Sequence, residues 1–209
     1  MTAAEVLNFL QQEIHTTVAA TTDSDGRPVT CAIDIMDADE KGLYFLTAKG
    51  KGFYNRLQKN GYMALTGVKG RDTLSCLAVS VRGKVKEIGE YLLPRLFQKN
   101  PYMAEIYPTP ESRRALTVFQ LYAGHGEWFD LSKKPIERFS FSFGQEKAGT
   151  EGYFITDACV GCHTCETVCP QNCIDFTVIP AAIHQTHCLH CGNCMEVCPQ
   201  KAVTWEEAK

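Results

Sequence analysis

The chain has 209 residues, of which 44% are hydrophobic, and a net charge of −3. That suits a globular protein of one large or two small domains. It excludes a membrane-spanning helix, because no apolar run approaches roughly 20 residues, and nucleic acid is not an expected partner, because no basic patch or stripe is visible. Met1-Thr2-Ala3-Ala4-Glu5 lacks the basic and apolar regions of a secretory leader, so the sequence predicts a cytoplasmic protein with no membrane partner.

Residues 2–14 read as a helix: Thr2 and Glu5 form a capping-box pattern, and Val6, Phe9, Leu10 and Ile14 share one face. Segment 16–22 is rich in β-branched residues and ends at the turn signal Asp23-Ser24-Asp25-Gly26. In 28–35, Val29, Cys31, Ile33 and Ile35 alternate with Thr30, Ala32 and Asp34, the pattern of a half-buried strand. A polar turn is expected over 37–42 and a strand over 43–47. A short helix over 51–59 is stopped by Asn60-Gly61. Strands follow at 62–68 and 76–87. A helix over 90–99 ends at Asn100-Pro101, and 111–115 is a helical turn. Strands at 116–123, 127–131 and 136–143 close the domain. Six or seven strands at short intervals with three short helices favour a small antiparallel barrel or sandwich over βαβ units. The polar, glycine-rich stretch 144–152 reads as a linker, which gives domains at 1–143 and 153–209.

The second domain is set by its cysteines. Cys159, Cys162, Cys165 and Cys169-Pro170 repeat as Cys188, Cys191, Cys194 and Cys198-Pro199, with an offset of 29 residues at every cysteine. Each run reads C-x2-C-x2-C-x3-C-P, the spacing of a bacterial iron–sulfur site. Structural zinc uses two CxxC pairs and needs no third cysteine in the series. Disulfides suit small secreted scaffolds, whereas iron–sulfur ligands must stay thiolates. The offset sets Cys173 over Ala202, so Cys173 is expected to fill a small apolar position and not to be a ligand. It also sets His190 over Gly161 and His163 over Gly192, so those histidines and His187 read as tolerated surface positions. Residues 153–209 hold six acidic and two basic side chains, an acidic tail.

The first domain resembles the flavin-binding split barrel of the pyridoxamine 5′-phosphate oxidase-like superfamily over about residues 4–143. The resemblance is carried by Gly26-Arg27-Pro28-Val29, by Gly42-Leu43-Tyr44-Phe45-Leu46-Thr47, by Lys49 and Lys51 before a helix, and by Asn60 with Met63-Ala64-Leu65-Thr66. It implies FMN, with Thr47, Lys49 and Lys51 at the phosphate and Thr30, Ala32 and Ala78 beside the ring. It also implies a homodimer in which each flavin touches both chains. The residues agree with an anion site in one respect: Thr47-Ala48-Lys49-Gly50-Lys51-Gly52 joins cations, a hydroxyl and approachable backbone to a helix start. Arginines are fewer than in true pyridoxamine 5′-phosphate oxidases, and the chain looks more like the shorter flavin reductase-like branch. His125 and Tyr107 are weaker candidates for proton donation. Cys31 and Cys76 read as small core residues.

Residues 153–209 resemble a bacterial two-cluster ferredoxin. The expected fold class is therefore mainly β with short helices, a split barrel, followed by a small α+β dicluster ferredoxin-like domain. In ferredoxins of this type the fourth cysteine of each run serves the other cluster. By that resemblance one 4Fe-4S cluster falls to Cys159, Cys162, Cys165 and Cys198, and the other to Cys188, Cys191, Cys194 and Cys169. Two clusters beside FMN imply an electron-transferring reductase of a small-molecule substrate, loaded by an external electron donor. The alternative is a non-catalytic redox carrier or sensor for a protein partner. A pyridoxamine 5′-phosphate oxidase using dioxygen conflicts with oxygen-labile clusters.

Overall fold

The computed structural model describes residues 1–146, 149 and 151–207. The expected linker 144–152 thus lies in part outside the described residues, at Lys147, Ala148 and Thr150. Two compact units emerge. The first holds Met1–Lys69, Ala78–Glu127 and Phe141–Lys147; the second holds Gly70–Leu77, Trp128–Ser140 and Ala148–Lys209.

In the first unit, α1 (Ala3–Phe9) is capped as expected: the Glu5 amide donates to the Thr2 hydroxyl and the Thr2 amide to the Glu5 carboxylate. The helix then widens into a π segment, Leu10–Ile14. After β1 (Thr16–Thr22) and β2 (Pro28–Asp34) come β3 (Asp37–Asp39) and β4 (Gly42–Ala48). α2 (Gly52–Asn60) ends at Gly61, whose left-handed φ of 60° glycine accommodates without strain. β5 (Tyr62–Lys69) and β6 (Leu77–Gly89) follow, then three short helices: α3 (Leu93–Lys99), α4 (Met103–Ile106) and α5 (Pro110–Arg113). β7 (Leu116–Asp130) and β8 (Glu137–Phe143) complete an eight-stranded sheet ordered β2-β1-β5-β6-β7-β4-β3, with β8 on β7.

β4 is covered on both sides. Phe45 on one face stacks on Phe119 of β7, with ring centroids 5.8 Å apart, and both are fully buried. Tyr44 on the other face joins Leu93, Leu96, Phe97 and Val118 in a second apolar cluster beneath α3. Double coverage explains the continuous apolar run Leu43–Leu46, which a half-buried strand would not show.

Three expectations need correction. The polar stretch 37–42 contains a strand as well as a turn, because the buried Asp37 carboxylate is met by Arg95 and Lys99 of α3; ion pairing lets a charged residue occupy a core position. The helix expected over 90–99 starts only at Leu93, with Pro94 in its first turn. The strands 116–123 and 127–131 are one strand, β7, which passes through Gly124-His125-Gly126 without turning. Here the glycines allow close approach of backbones. A Cβ on Gly124 would lie 2.3 Å from the Arg82 carbonyl oxygen, and one on Gly83 would lie 2.2 Å from that of Ala123. Gly124→Ala should therefore destabilise the barrel by about 1–3 kcal/mol, the usual range for overpacking. A urea titration followed by tryptophan fluorescence measures it.

The second unit carries the cysteine runs on short elements. β9 (Gly152–Ile155) pairs antiparallel with β12 (Val203–Glu206), and β10 (Ile174–Asp175) with β11 (Ala182–Ile183). α6 (Asn193–Val197) follows the second run's turn. The 29-residue repeat is visible in the backbone. Left-handed φ angles occur at Gly161 (68°) and His190 (56°), at His163 (61°) and Gly192 (81°), and at Asn172 (49°) and Lys201 (51°). Glycine and histidine have exchanged places between the halves at two such positions. Ile174 and Val203, also 29 apart, begin β10 and β12. No helix among the described residues is long and apolar enough to cross a membrane.

Candidate functional site

The eight repeated cysteines gather in two groups that cross the runs. One cavity is lined by Cys159, Cys162, Cys165 and Cys198. The other is lined by Cys169, Cys188, Cys191 and Cys194, and also by Cys173. The cavities are alike in size, about 330 and 340 Å3 with the space open to solvent included. Among the described residues no three His, Cys, Asp or Glu side chains converge on a single-ion site. The thiols line the two cavities instead, four repeated cysteines to each.

The local backbone gives these thiols a polar setting. The Ala202 amide donates to Cys198 Sγ at 3.3 Å, and the Cys173 amide donates to Cys169 Sγ at 3.4 Å. The offset of 29 thus holds for individual hydrogen bonds. Cys162 is exposed, and its hydrogen bond with the Thr164 side chain lowers its pKa. Cys165 is buried, and burial raises its pKa, with the nearby Cys198, Cys162 and Cys159 adding to the effect. In the second cavity, burial pushes Cys194 up to about 11. The neighbouring Cys173 thiol lowers the pKa of Cys188, and Cys188 in turn raises that of Cys173, with burial second.

Aromatic and histidine side chains flank both cavities. His163 stacks on Phe176 at 4.1 Å and pairs with Glu166 at 2.7 Å. His190 meets Tyr153 and Trp205 edge to face. His187 donates from Nδ1 to the Ile136 carbonyl at 2.9 Å, which ties the second cysteine run to segment Trp128–Ser140 of the same unit.

The residues expected at an anion site separate into two sets. Lys49 is engaged by Glu90 at 2.6 Å, which raises its pKa, and Glu87 acts on it from nearby. Lys51 is exposed at the N-cap of α2. Arg56, on the first turns of that helix, was not singled out by the sequence pattern. Its Nε donates to Thr21 Oγ1 at 2.8 Å. Burial raises the pKa of Cys31 on β2, while Arg56 and Lys51 pull it back, so both cations act at this strand. The missed signal is helical spacing: Gly52 and Arg56 are four apart on α2, and a Cβ at Gly52 would lie 3.1 Å from the Arg56 guanidinium. Thr47 is buried and its hydroxyl has no hydrogen-bond partner. Its neighbour across the ladder, Thr117, donates to Glu87 at 2.5 Å. An anion bearing oxygens would find Lys51, Arg56 and the free first amides of α2 here, and an unsatisfied hydroxyl at Thr47.

Thr30 and Ala32 are exposed on β2, as their alternation required. Ladder partners Ala20 and Val18 on β1, then Ala64 and Thr66 on β5, continue a face of small side chains. Ser80 of β6 extends it, with its hydroxyl 3.1 Å from that of Thr66; Ala78 is half-buried two residues before it. His125 accepts at Nε2 from Arg82 Nε at 2.6 Å, which leaves the proton of its neutral ring on Nδ1. Tyr107 packs on the apolar cluster beneath α3.

A family model described as pyridoxamine 5′-phosphate oxidase matches residues 2–134, and one described as a 4Fe-4S dicluster domain matches residues 158–202. Among solved structures, a NimC/NimA family protein from Clostridium acetobutylicum is similar with a TM-score of 0.55 and 17% identity, covering 66% of this chain and 90% of that one. A protein of the same organism related to general stress protein 26 of B. subtilis, of the pyridoxinephosphate oxidase family, gives 0.52 and 18%, covering 64% and 89%. A heme-binding protein from Mycobacterium smegmatis gives 0.52 and 13%, covering 67% and 58%. At these identities the likeness is one of fold. No curated protein matches the chain.

Proposed function

Because the chain belongs to the pyridoxamine 5′-phosphate oxidase family and carries a 4Fe-4S dicluster domain after the barrel, we propose that it is an iron–sulfur flavoprotein reductase. In this reading two 4Fe-4S clusters pass electrons to FMN for reduction of a small organic substrate. The observation that carries it is the crossed grouping of eight thiols on the same chain as a flavin-type barrel. Clusters supply single electrons, and a flavin can join two into a hydride.

The chain's own residues have distinct tasks. Cys159, Cys162, Cys165 and Cys198 hold the first cluster as thiolates, and Cys188, Cys191, Cys194 and Cys169 hold the second. Lys51 and Arg56 hold the flavin phosphate, with Thr47 offering its unpaired hydroxyl and Lys49 contributing charge offset by Glu90. Thr30, Ala32 and Ala78 present small side chains to a planar ring, and a second copy of the chain covers that face, where Val18 is 56% exposed. The acidic cysteine-rich segment suits an external donor with a basic surface.

Anaerobically purified protein should show flavin bands and about eight irons per chain, the content of two four-iron clusters. After reduction with dithionite, it should be reoxidised by one or more members of a panel of quinones, nitro compounds, enoyl acceptors and free flavins. Absence of flavin sinks the proposal. Reoxidation by no small molecule but by a redox protein would assign it to electron carriage. Formation of pyridoxal phosphate under air would assign it to the oxidase reaction.

A further inference from the structure

The two halves of the cysteine-rich unit agree in spacing, in left-handed backbone positions and in amide-to-sulfur hydrogen bonds, and of the lining positions at which they differ one adds a further thiol. Where the first cavity has Ala202, the second has Cys173. Cys173 is 4% exposed, and its Sγ lies 3.5 Å from Cys169 Sγ. Its thiol therefore meets one of the sulfurs assigned above to the second cluster. Arg138 of segment Trp128–Ser140 adds a positive charge acting at Cys188. At the first cavity the corresponding neighbour, Ala202, has no side-chain donor; the Thr164 hydroxyl lies 3.4 Å from the exposed Cys162 Sγ, and His163 is paired with the Glu166 carboxylate.

We infer that Cys173 is a potential-setting residue: its S–H donates to the Cys169 thiolate of the second cluster and raises the potential of that cluster. The inference rests on the cluster ligation proposed above. A donor to a ligand sulfur draws electron density from iron and favours the form carrying the extra electron, which raises the potential. A nearby cation acts in the same direction. Cys173 keeps its proton and is neither oxidised nor bound to iron. The same sequence position in the first half, filled by a methyl group, has no such effect.

The test is an EPR-monitored redox titration of the anaerobic full-length holoprotein and of Cys173→Ala, Cys173→Ser and Ala202→Cys, each with iron counted. Two separate one-electron potentials are expected in the unaltered protein. In Cys173→Ala one potential falls and the other stays in place; in Cys173→Ser, which keeps a donor, the same one falls less. Ala202→Cys raises the other. Unmoved potentials in Cys173→Ala with eight irons retained, or movement of both together, overturn the inference and leave the ligation intact. If Cys173→Ala fails to load iron, Ala202→Cys decides: two unmoved potentials overturn the inference. An iron content far below eight in the unaltered protein would defeat the ligation itself.

Discussion

Cys165→Ser is expected to remove one whole cluster and to loosen the cysteine-rich unit around it. Cys165 is buried and shares its cavity with Cys159, Cys162 and Cys198. A serine hydroxyl is a poor substitute for a thiolate at iron, and the cube has no other thiol within its ring. Iron should therefore drop from about eight to about four per chain, the loss of one four-iron cluster. The loss spreads because the unit has little else to hold it. Its apolar core is small: Cys165 and Cys194 themselves pack with Ile174, Ala181 and Val203, and domains of this size depend on staples or metals for stability. In the proposed crossed ligation each cluster clamps the two runs together, so removing one should free β12 from the first run as well as Cys165 from the second. Thermal melts should show a low-temperature transition in Cys165→Ser that the unaltered protein lacks, with the barrel transition kept. Cys76→Ser serves as the control: Cys76 lines neither cavity, and its replacement should leave the iron count at its full value. A full iron count in Cys165→Ser would remove that cysteine from the ligand set.

Much of this arrangement is legible in the sequence, for reasons that differ between the two halves of the chain. The cysteine runs are read from spacing, and spacing is covalent. Three thiols at intervals of three residues stay near one another whatever surrounds them. The 29-residue offset then carries over to details that no motif contains, such as paired left-handed residues and the matched amide bonds of Cys173 and Ala202. The same offset treats Cys173 as an apolar filler, which is right for its burial and says nothing of its sulfur contacts, since those depend on how the two runs meet. In the barrel, alternation along β2 places Thr30 and Ala32 outward because a period of two leaves no other choice. Where long-range partners decide, local pattern fails. Asp37 looks like a turn residue until Arg95 and Lys99, about 60 positions later, bring it into the core. Gly124 and Gly126 look like a turn until the backbone of β6 is seen to require the space. Arg56 carries only a weak mark in the sequence, its place four residues after Gly52; its contact with Thr21 and its influence at Cys31 are what single it out.

The double variant Lys51→Ala, Arg56→Ala should lose flavin affinity far more than stability. Both side chains are cations at the start of α2, and neither is matched to a buried carboxylate: Arg56 donates to the Thr21 hydroxyl, and Lys51 is exposed at the N-cap. Charge-assisted hydrogen bonds of this kind contribute about 1.5–3 kcal/mol each, so each substitution should raise the flavin dissociation constant about 10- to 150-fold. The phosphate is the discriminating group. Riboflavin, which lacks it, should bind the unaltered protein and the variant with similar affinity, while FMN should lose its advantage in the variant. Lys49→Ala is the informative comparison, because Lys49 is already paired with Glu90; its loss should weaken FMN binding by less than either of the other two. Fluorescence titration of apoprotein with FMN and with riboflavin reads all of these directly. An unchanged FMN affinity in the double variant would move the phosphate site away from α2. The resemblance puts Lys49 and Lys51 at the phosphate together; the ion pair at one and the open position of the other rank them, and that ranking follows from charge balance alone. A cation that must first leave a carboxylate gives an incoming phosphate less than one that faces solvent.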